Sequence, residues 1–121
     1  MRSHIHMNDI CDFYRLLLKA PKTAIEGEVF NAVAENLSVD ETAQAVGAII
    51  PCSIHKRPRM DNRSYTVDGA KARKVLGFEP KRRVGDAVKD LKIRFDSGMW
   101  KDSETNEVYQ NLAQVWDEVH V

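Results

Sequence analysis

Glycine is scarce in this chain, and its spacing excludes one large class of function. The six glycines stand at 27, 47, 69, 77, 85 and 98, never closer than eight residues apart. A dinucleotide or P-loop turn needs two or three glycines within about six to eight residues, so that the backbone can wrap a phosphate. The 121 residues contain no such loop. Cysteine is equally sparse. Cys11 and Cys52 form no C-x-x-C pair and sit in apolar or turn contexts, so they read as small hydrophobes rather than a disulfide or a metal site. No apolar run approaches the 18 or so residues of a membrane span. The N-terminus has charge and histidine early and no apolar h-region, so a signal peptide is not expected and a cytoplasmic location is. Net charge is absent too. Eighteen Lys and Arg balance eighteen Asp and Glu, which leaves no field to favour nucleic acid or a membrane surface.

What remains has the composition of one modest globular domain, read as spanning 1–121, with 43% hydrophobic and 30% charged residues. Residues 2–7 read as a short strand with Ile5 inward. Asn8 or Asp9 then caps a helix whose apolar stripe is Ile10, Phe13, Tyr14, Leu17 and Leu18. Pro21 ends it, and 22–27 is a loop. Glu28–Val33 reads as a strand. Ser38-Val39-Asp40-Glu41 is a capping box that opens a helix to about Ile50, burying Val39, Ala43, Val46 and Ile50 before Pro51. Ser53–Lys56 reads as a further short strand. Asp68 caps a helix over 69–76; Gly77 is placed to take the left-handed conformation that stops it, and Pro80 prevents a restart. Residues 84–97 form another helix, with Val84, Ala87, Val88, Leu91 and Phe95 on one face. Within the tail 99–121, residues 104–120 are either a fifth helix or an irregular arm. The fold class is therefore α+β, four or five helices packed on a few short strands.

The chemically richest stretch runs from Arg57 to Pro80. Arg57, Arg59 and Arg63 fall within seven residues, beside Pro58 and Tyr65. Guanidinium groups donate in a fixed fork that matches phosphate oxygens, so converging arginines on a stiff loop suit a diphosphate. The plain alternative is a solvated basic loop partnered by Asp61 and Asp68. His4, His6 and Asp9 include a His-x-His spacing that places two imidazoles on one strand face, as a metal site would need. They read instead as a packed His6 and a helix-capping Asp9, and no metal is expected. His55 and His120 look incidental. Lys71, Arg73, Lys74, Lys81, Arg82 and Arg83 surround the 69–76 helix and read as a solvated face, because nucleic-acid binding would call for a net basic domain.

The stretch Arg57–Pro80, with its Leu-Gly-Phe-Glu-Pro ending, closely resembles the C-terminal substrate-binding part of the extended short-chain dehydrogenases/reductases, the NAD-dependent nucleotide-sugar epimerases and dehydratases. Arg2-x-x-Ile5-His6-x-x-Asp9, Gly27-Glu28-Val29-Phe30-Asn31 and Leu37-Ser38-Val39-x-Glu41 resemble the same family in the same order, over roughly residues 2–98. The resemblance implies a substrate lobe whose partner, an N-terminal Rossmann domain, binds NAD or NADP and supplies a Tyr-x-x-x-Lys pair. Tyr14, Tyr65 and Tyr109 are followed four residues on by Leu18, Gly69 and Ala113, so these 121 residues contain no such pair. The expectation is a lobe that binds a nucleoside-diphosphate sugar but is not catalytic alone, with no cofactor of its own. The resemblance implies that Arg57, with Asp61 four residues on, contacts the diphosphate, joined by Arg63 and Tyr65 and by Arg2. Two alternatives stay open: a free-standing, self-associating module derived from such an enzyme, and a lobe acting in trans with a separate Rossmann chain. Either a homo-oligomer or a Rossmann partner would cover the apolar face such a lobe exposes.

Overall fold

A computed structural model describes residues 1–56, 64–100, 102–103 and 105–109. Within them the chain is α+β, as the sequence predicts: five helices and one two-stranded sheet. The chain divides into two compact units, 1–89 and 90–121. Strand β1 (Arg2–His4) pairs antiparallel with β2 (Glu35–Leu37), Ser3 standing opposite Asn36. Helix α1 spans Met7–Lys19, the single turn α2 Lys22–Ile25, α3 Val39–Gly47, α4 Ala70–Leu76 and α5 Val84–Asp96. No helix among the described residues is long and apolar enough to cross a membrane.

The core of the first unit forms where α1 meets the end of α4. Phe13, Ala72 and Phe78 are buried, and Ile5, Leu16, Leu17, Phe30, Ala32 and Leu76 pack around them. Phe13 and Phe78 meet edge to face with centroids 5.0 Å apart, a geometry the ring quadrupoles favour. Phe78 reaches that position because α4 ends in a left-handed turn at Gly77, φ 64°. The Phe78 amide then donates to the Ala72 carbonyl at 3.3 Å and the Gly77 amide to Arg73 at 3.0 Å. This six-to-one closure folds the residue after the glycine back over the helix, as the Leu-Gly-Phe-Glu-Pro pattern predicts.

Asp9 lies on the same face of α1 as Phe13, Leu16 and Leu17, and only 1% of it is exposed. It accepts from the backbone amides of Lys81 and Arg82 at 3.1 and 2.9 Å and from the Arg82 guanidinium at 2.6 Å. Asp9 is therefore not the cap of α1. His6 is, its Nδ1 accepting from the Asn8 amide at 3.1 Å. The reason is reach: a cap must sit outside the first turn, and Asp9 lies inside it, facing the loop before α5. Two further bonds pin that loop. Arg83 Nη1 donates to the Ala34 carbonyl at 2.5 Å, and the Val84 amide donates to Glu35 Oε1 at 2.6 Å. Arg82 is thus a half-buried structural group, whereas Arg83 makes its bond from the exposed face the sequence predicts. Lys71 likewise pairs with Glu28 and lies 5.0 Å from the Phe30 ring centroid.

Several sequence expectations are corrected. The first strand stops at His4, and Glu28–Val33 is not a strand. β1 is occupied instead by 35–37, so 28–33 runs without a ladder, Val29 exposed and Phe30 against the core. Residues 53–56 form no strand either and are exposed. Residues 22–25, expected as loop, form one helical turn. Tyr14 and Leu18 point outward at 60% and 86% exposure, and α1 buries Asp9 and Phe13, with Leu16 and Leu17 half-buried beside them. Helix α3 ends at Gly47, three residues early, and Val39 and Ile50 are exposed. In α5 Val88 is buried, but Leu91 and Phe95 are both 55% exposed. The capping box itself forms as expected, Ser38 Oγ accepting from the Glu41 amide and Glu41 from the Ser38 amide. Asp68 also serves α4, accepting from the Ala70 amide at 2.8 Å, although Gly69 is the cap residue.

In the second unit the end of α5 is closed by Gly98, φ 73°, with Met99 donating to the Arg94 carbonyl at 3.2 Å. A short 3-10 turn follows at Glu107–Tyr109. Residues 110–121, which include the last stretch of the expected fifth helix or arm, lie outside the described residues.

Two outcomes follow from this packing. Asp9→Ala strands two buried amides and a guanidinium, and its urea midpoint should fall by the equivalent of about 3 kcal/mol. Glu41 is held below its ordinary 4.5 by the Ser38 amide and hydroxyl, and Asp86 below 3.8 by the Arg83 amide. A carboxylate depressed in the folded state stabilises above its ordinary value and loses that contribution as pH falls through the folded one. Stability should therefore decline below about pH 4.5, and the decline should be shallower in Glu41→Gln, measured by chemical denaturation across pH.

Candidate functional site

The short sheet determines where the expected ligand residues meet. Arg2 begins β1. Across the sheet, Asn36 projects its amide toward segment 64–68. Its Oδ1 accepts from the Val67 amide at 3.0 Å, and its Nδ2 donates to the Val67 carbonyl at 3.1 Å. Ser3 Oγ, on the paired residue of β1, donates to the same Oδ1 at 2.6 Å. Asn31 adds a bond from Nδ2 to the Asp68 carbonyl at 3.3 Å. Segment 64–68 is thus laid against the sheet by side-chain amides, by the Ser64 hydroxyl, which accepts from the terminal ammonium at 2.7 Å, and by a long backbone bond from the Tyr65 amide to the Met1 carbonyl at 3.4 Å.

This fastening brings Tyr65 beneath Arg2. The guanidinium carbon lies 5.3 Å from the ring centroid, within the range of a cation–π contact. Arg2 Nη1 also donates to the Met1 carbonyl at 3.1 Å. The donors of a guanidinium lie in one plane, so a ring beside it limits the directions they can face. Two of the four expected diphosphate contacts, 63 residues apart in sequence, are therefore neighbours. Arg57 and Arg63, with Arg59, lie outside the described residues.

The histidines serve other ends. His4 Nε2 is 3.3 Å from Thr42 Oγ1, His6 caps α1 through Nδ1, and Asp9 is engaged by the loop before α5. Among the described residues no group of three His, Cys, Asp or Glu is placed to hold a metal ion.

The glycines do not fit a dinucleotide. Gly27, Gly77 and Gly98 take positive φ, and all three follow a helix rather than open one. A phosphate turn needs such glycines just before a helix, where amide N–H groups converge. Gly69, which does precede α4, is packed against the core wall: a Cβ there would come within 2.9 Å of Val33 Cγ1.

A separate open cleft of about 380 Å³ lies between α1 and the end of α4. Arg15, Lys19 and Lys81 face Asp12 and Glu79 around it, so its charges largely offset one another.

The signals that point to the unexpected residues are local. Asp9, Phe13, Leu16 and Leu17 follow the i, i+4, i+7, i+8 spacing of a buried helix stripe, which makes Asp9 a carboxylate on a core face. Asn36 sits inside a strand, where asparagine is disfavoured unless its amide is in use.

No protein-family model matches the chain, and no solved structure does. Among curated proteins, the chain is 33% identical over 93 residues to a UDP-glucose 4-epimerase of Lactobacillus helveticus. The match covers 73% of this chain and 28% of that protein. The chain is thus distantly related to part of an epimerase and spans little more than a quarter of that protein's length.

The stack of Arg2 on Tyr65 is exposed, and such contacts contribute about 0.5–1 kcal/mol. Tyr65→Leu should therefore shift the unfolding midpoint by no more than that, while the Arg2 side-chain resonances lose their ring-current displacement in proton NMR.

Proposed function

We propose that this chain is a substrate-binding lobe of the NAD-dependent epimerase/dehydratase kind, resembling the C-terminal part of those enzymes, and that it binds the diphosphate of a nucleoside-diphosphate sugar. The observation that carries the reading is the placement of Arg2 against Tyr65. That placement joins the two segments in which the family resemblance puts diphosphate contacts. Arg57 and Arg63 would complete the clamp, because a diphosphate is held best by several converging guanidiniums. The partial match to a UDP-glucose 4-epimerase makes a UDP-sugar the first ligand to test.

The role is binding. With neither a glycine-rich cofactor loop nor a Tyr-x-x-x-Lys pair in these residues, proton and hydride transfer belong to a Rossmann domain that holds NAD or NADP. Met7, Tyr14 and Leu18 stand at least 60% exposed along the outer face of α1. That row favours a covering partner, either the Rossmann domain or a second copy in a self-associating form.

Calorimetric titration with UDP-glucose, UDP, and the dTDP, GDP and CDP sugars tests the reading. Saturable binding is expected, with Arg57→Ala and Arg63→Ala each weakening it roughly tenfold to a hundredfold, the worth of one charge-assisted bond. Absence of heat with every nucleotide, for the chain alone and with a Rossmann partner present, would rule the clamp out. Sedimentation of wild type beside Leu18→Lys addresses the covered face. A concentration-dependent dimer that the lysine abolishes is the expected result for self-association.

A further inference from the structure

Asn36 satisfies both backbone groups of one residue across a gap that no strand bridges. Its side-chain amide presents one acceptor and one donor to Val67, in the arrangement a neighbouring strand residue would offer. The same oxygen takes the Ser3 hydroxyl, so the amide is oriented from β1 before it meets Val67. Val67 is two residues from Tyr65, and Arg2 is the residue before Ser3. One amide therefore links the strand that bears Arg2 to the segment that bears Tyr65. Two other described ties on this segment are longer, the Tyr65 amide to Met1 at 3.4 Å and the Asn31 bond to Asp68 at 3.3 Å, while the Ser64 hydroxyl accepts a short bond from the chain's terminal ammonium at 2.7 Å.

We infer that Asn36 is a positioning residue: it touches no ligand, and it fixes the Arg2–Tyr65 geometry on which anion binding depends. The inference rests on the reading of Arg2 and Tyr65 as part of a diphosphate site. The chemistry makes Asn hard to replace. Aspartate keeps the acceptor for the Val67 amide and for Ser3 but loses the donor, and sets a negative charge against the Val67 carbonyl. Alanine loses both bonds. Glutamine keeps both functions on a stem one methylene too long for the paired register.

The test uses the full chain, isotopically labelled. Three quantities are read for wild type, Asn36→Ala and Asn36→Asp: hydrogen exchange at the Val67 amide, the ring-current shift of the Arg2 side chain, and the dissociation constants for inorganic pyrophosphate, UDP and UDP-glucose. Ser38→Ala, which weakens the nearby cap of α3 without touching segment 64–68, is the control for a merely structural effect. In Asn36→Ala we expect Val67 exchange at least tenfold faster, the Arg2 shift moved to its unstacked position, and all three ligands weakened by a similar factor of about ten. Asn36→Asp should fall between, and Ser38→Ala should leave the Arg2 shift and the ligand constants in place. Retention of the Arg2 shift and of Val67 protection in Asn36→Ala would overturn the positioning role. So would a loss of affinity in Ser38→Ala as large as that in Asn36→Ala. If wild type binds none of the three ligands while Asn36→Ala still releases Val67 and Arg2, the diphosphate reading fails. The exchange and shift data then still decide whether Asn36 couples the two segments.

Discussion

A carboxylate that keeps 1% of its surface exposed holds its charge only if donors replace the water it has lost. Asp9 finds three, two from backbone amides and one from a guanidinium. Most of the first unit depends on that exchange. The two amides belong to the loop between α4 and α5, so Asp9 determines where that loop meets α1. The loop's next residues then reach Ala34 and Glu35, on the strand side. One buried acid thus ties a helix, a loop and the short sheet together, beside a core of only three buried side chains around Phe13. Arg82 remains one-third exposed. Water therefore screens the ion pair in part, and the amide bonds are the firmer component.

The candidate site uses the same device on a smaller scale. A two-stranded sheet of three-residue strands offers little backbone ladder. Where a third strand would lie, asparagine amides stand in for it: Asn36 holds Val67 and Asn31 holds Asp68. Segment 64–68 is therefore held largely by side-chain hydrogen bonds, with Tyr65 set down against Arg2. An arrangement of this kind brings a guanidinium and an aromatic ring together without a large core beneath them. It also makes this region sensitive to substitution of Asn36, whose one amide takes part in three bonds.

Helix ends marked by a local motif were the most readable part of the fold, although the cap of α1 is His6 and α3 stops at Gly47. The Ser38–Glu41 box, the left-handed Gly77 with Phe78 folded back, and the start of α5 at Val84 are all local, settled within four or five residues. Strands were the least readable. Val29 and Phe30 look like strand residues, but strand formation needs a partner, and β1 pairs with 35–37 instead. The helix faces were half legible. The stripe on α1 has the right period, yet it is rotated toward Asp9, because a hydrogen-bonded carboxylate can occupy a core position that hydropathy assigns to a neighbour. Of the candidate ligand residues, Arg2 and Tyr65 were picked out one by one, by residue type and by family likeness. Their adjacency was not, and Asn36 was not picked out at all.

By itself the sequence determined the α+β class, the capping box of α3 and the glycine stop of α4, the absence of a glycine-rich phosphate loop, and the residue types able to meet an anion. These depend on local backbone preference and on side-chain chemistry, which act over a few residues. The tertiary structure alone decided that Asp9 serves the α4–α5 loop, that Asn36 joins Ser3 to Val67, and that Arg2 lies over Tyr65. Those contacts span 31 to 73 residues of chain, and no short-range preference encodes them. They arise because buried polar groups must find partners, and in the folded chain only these partners are within reach.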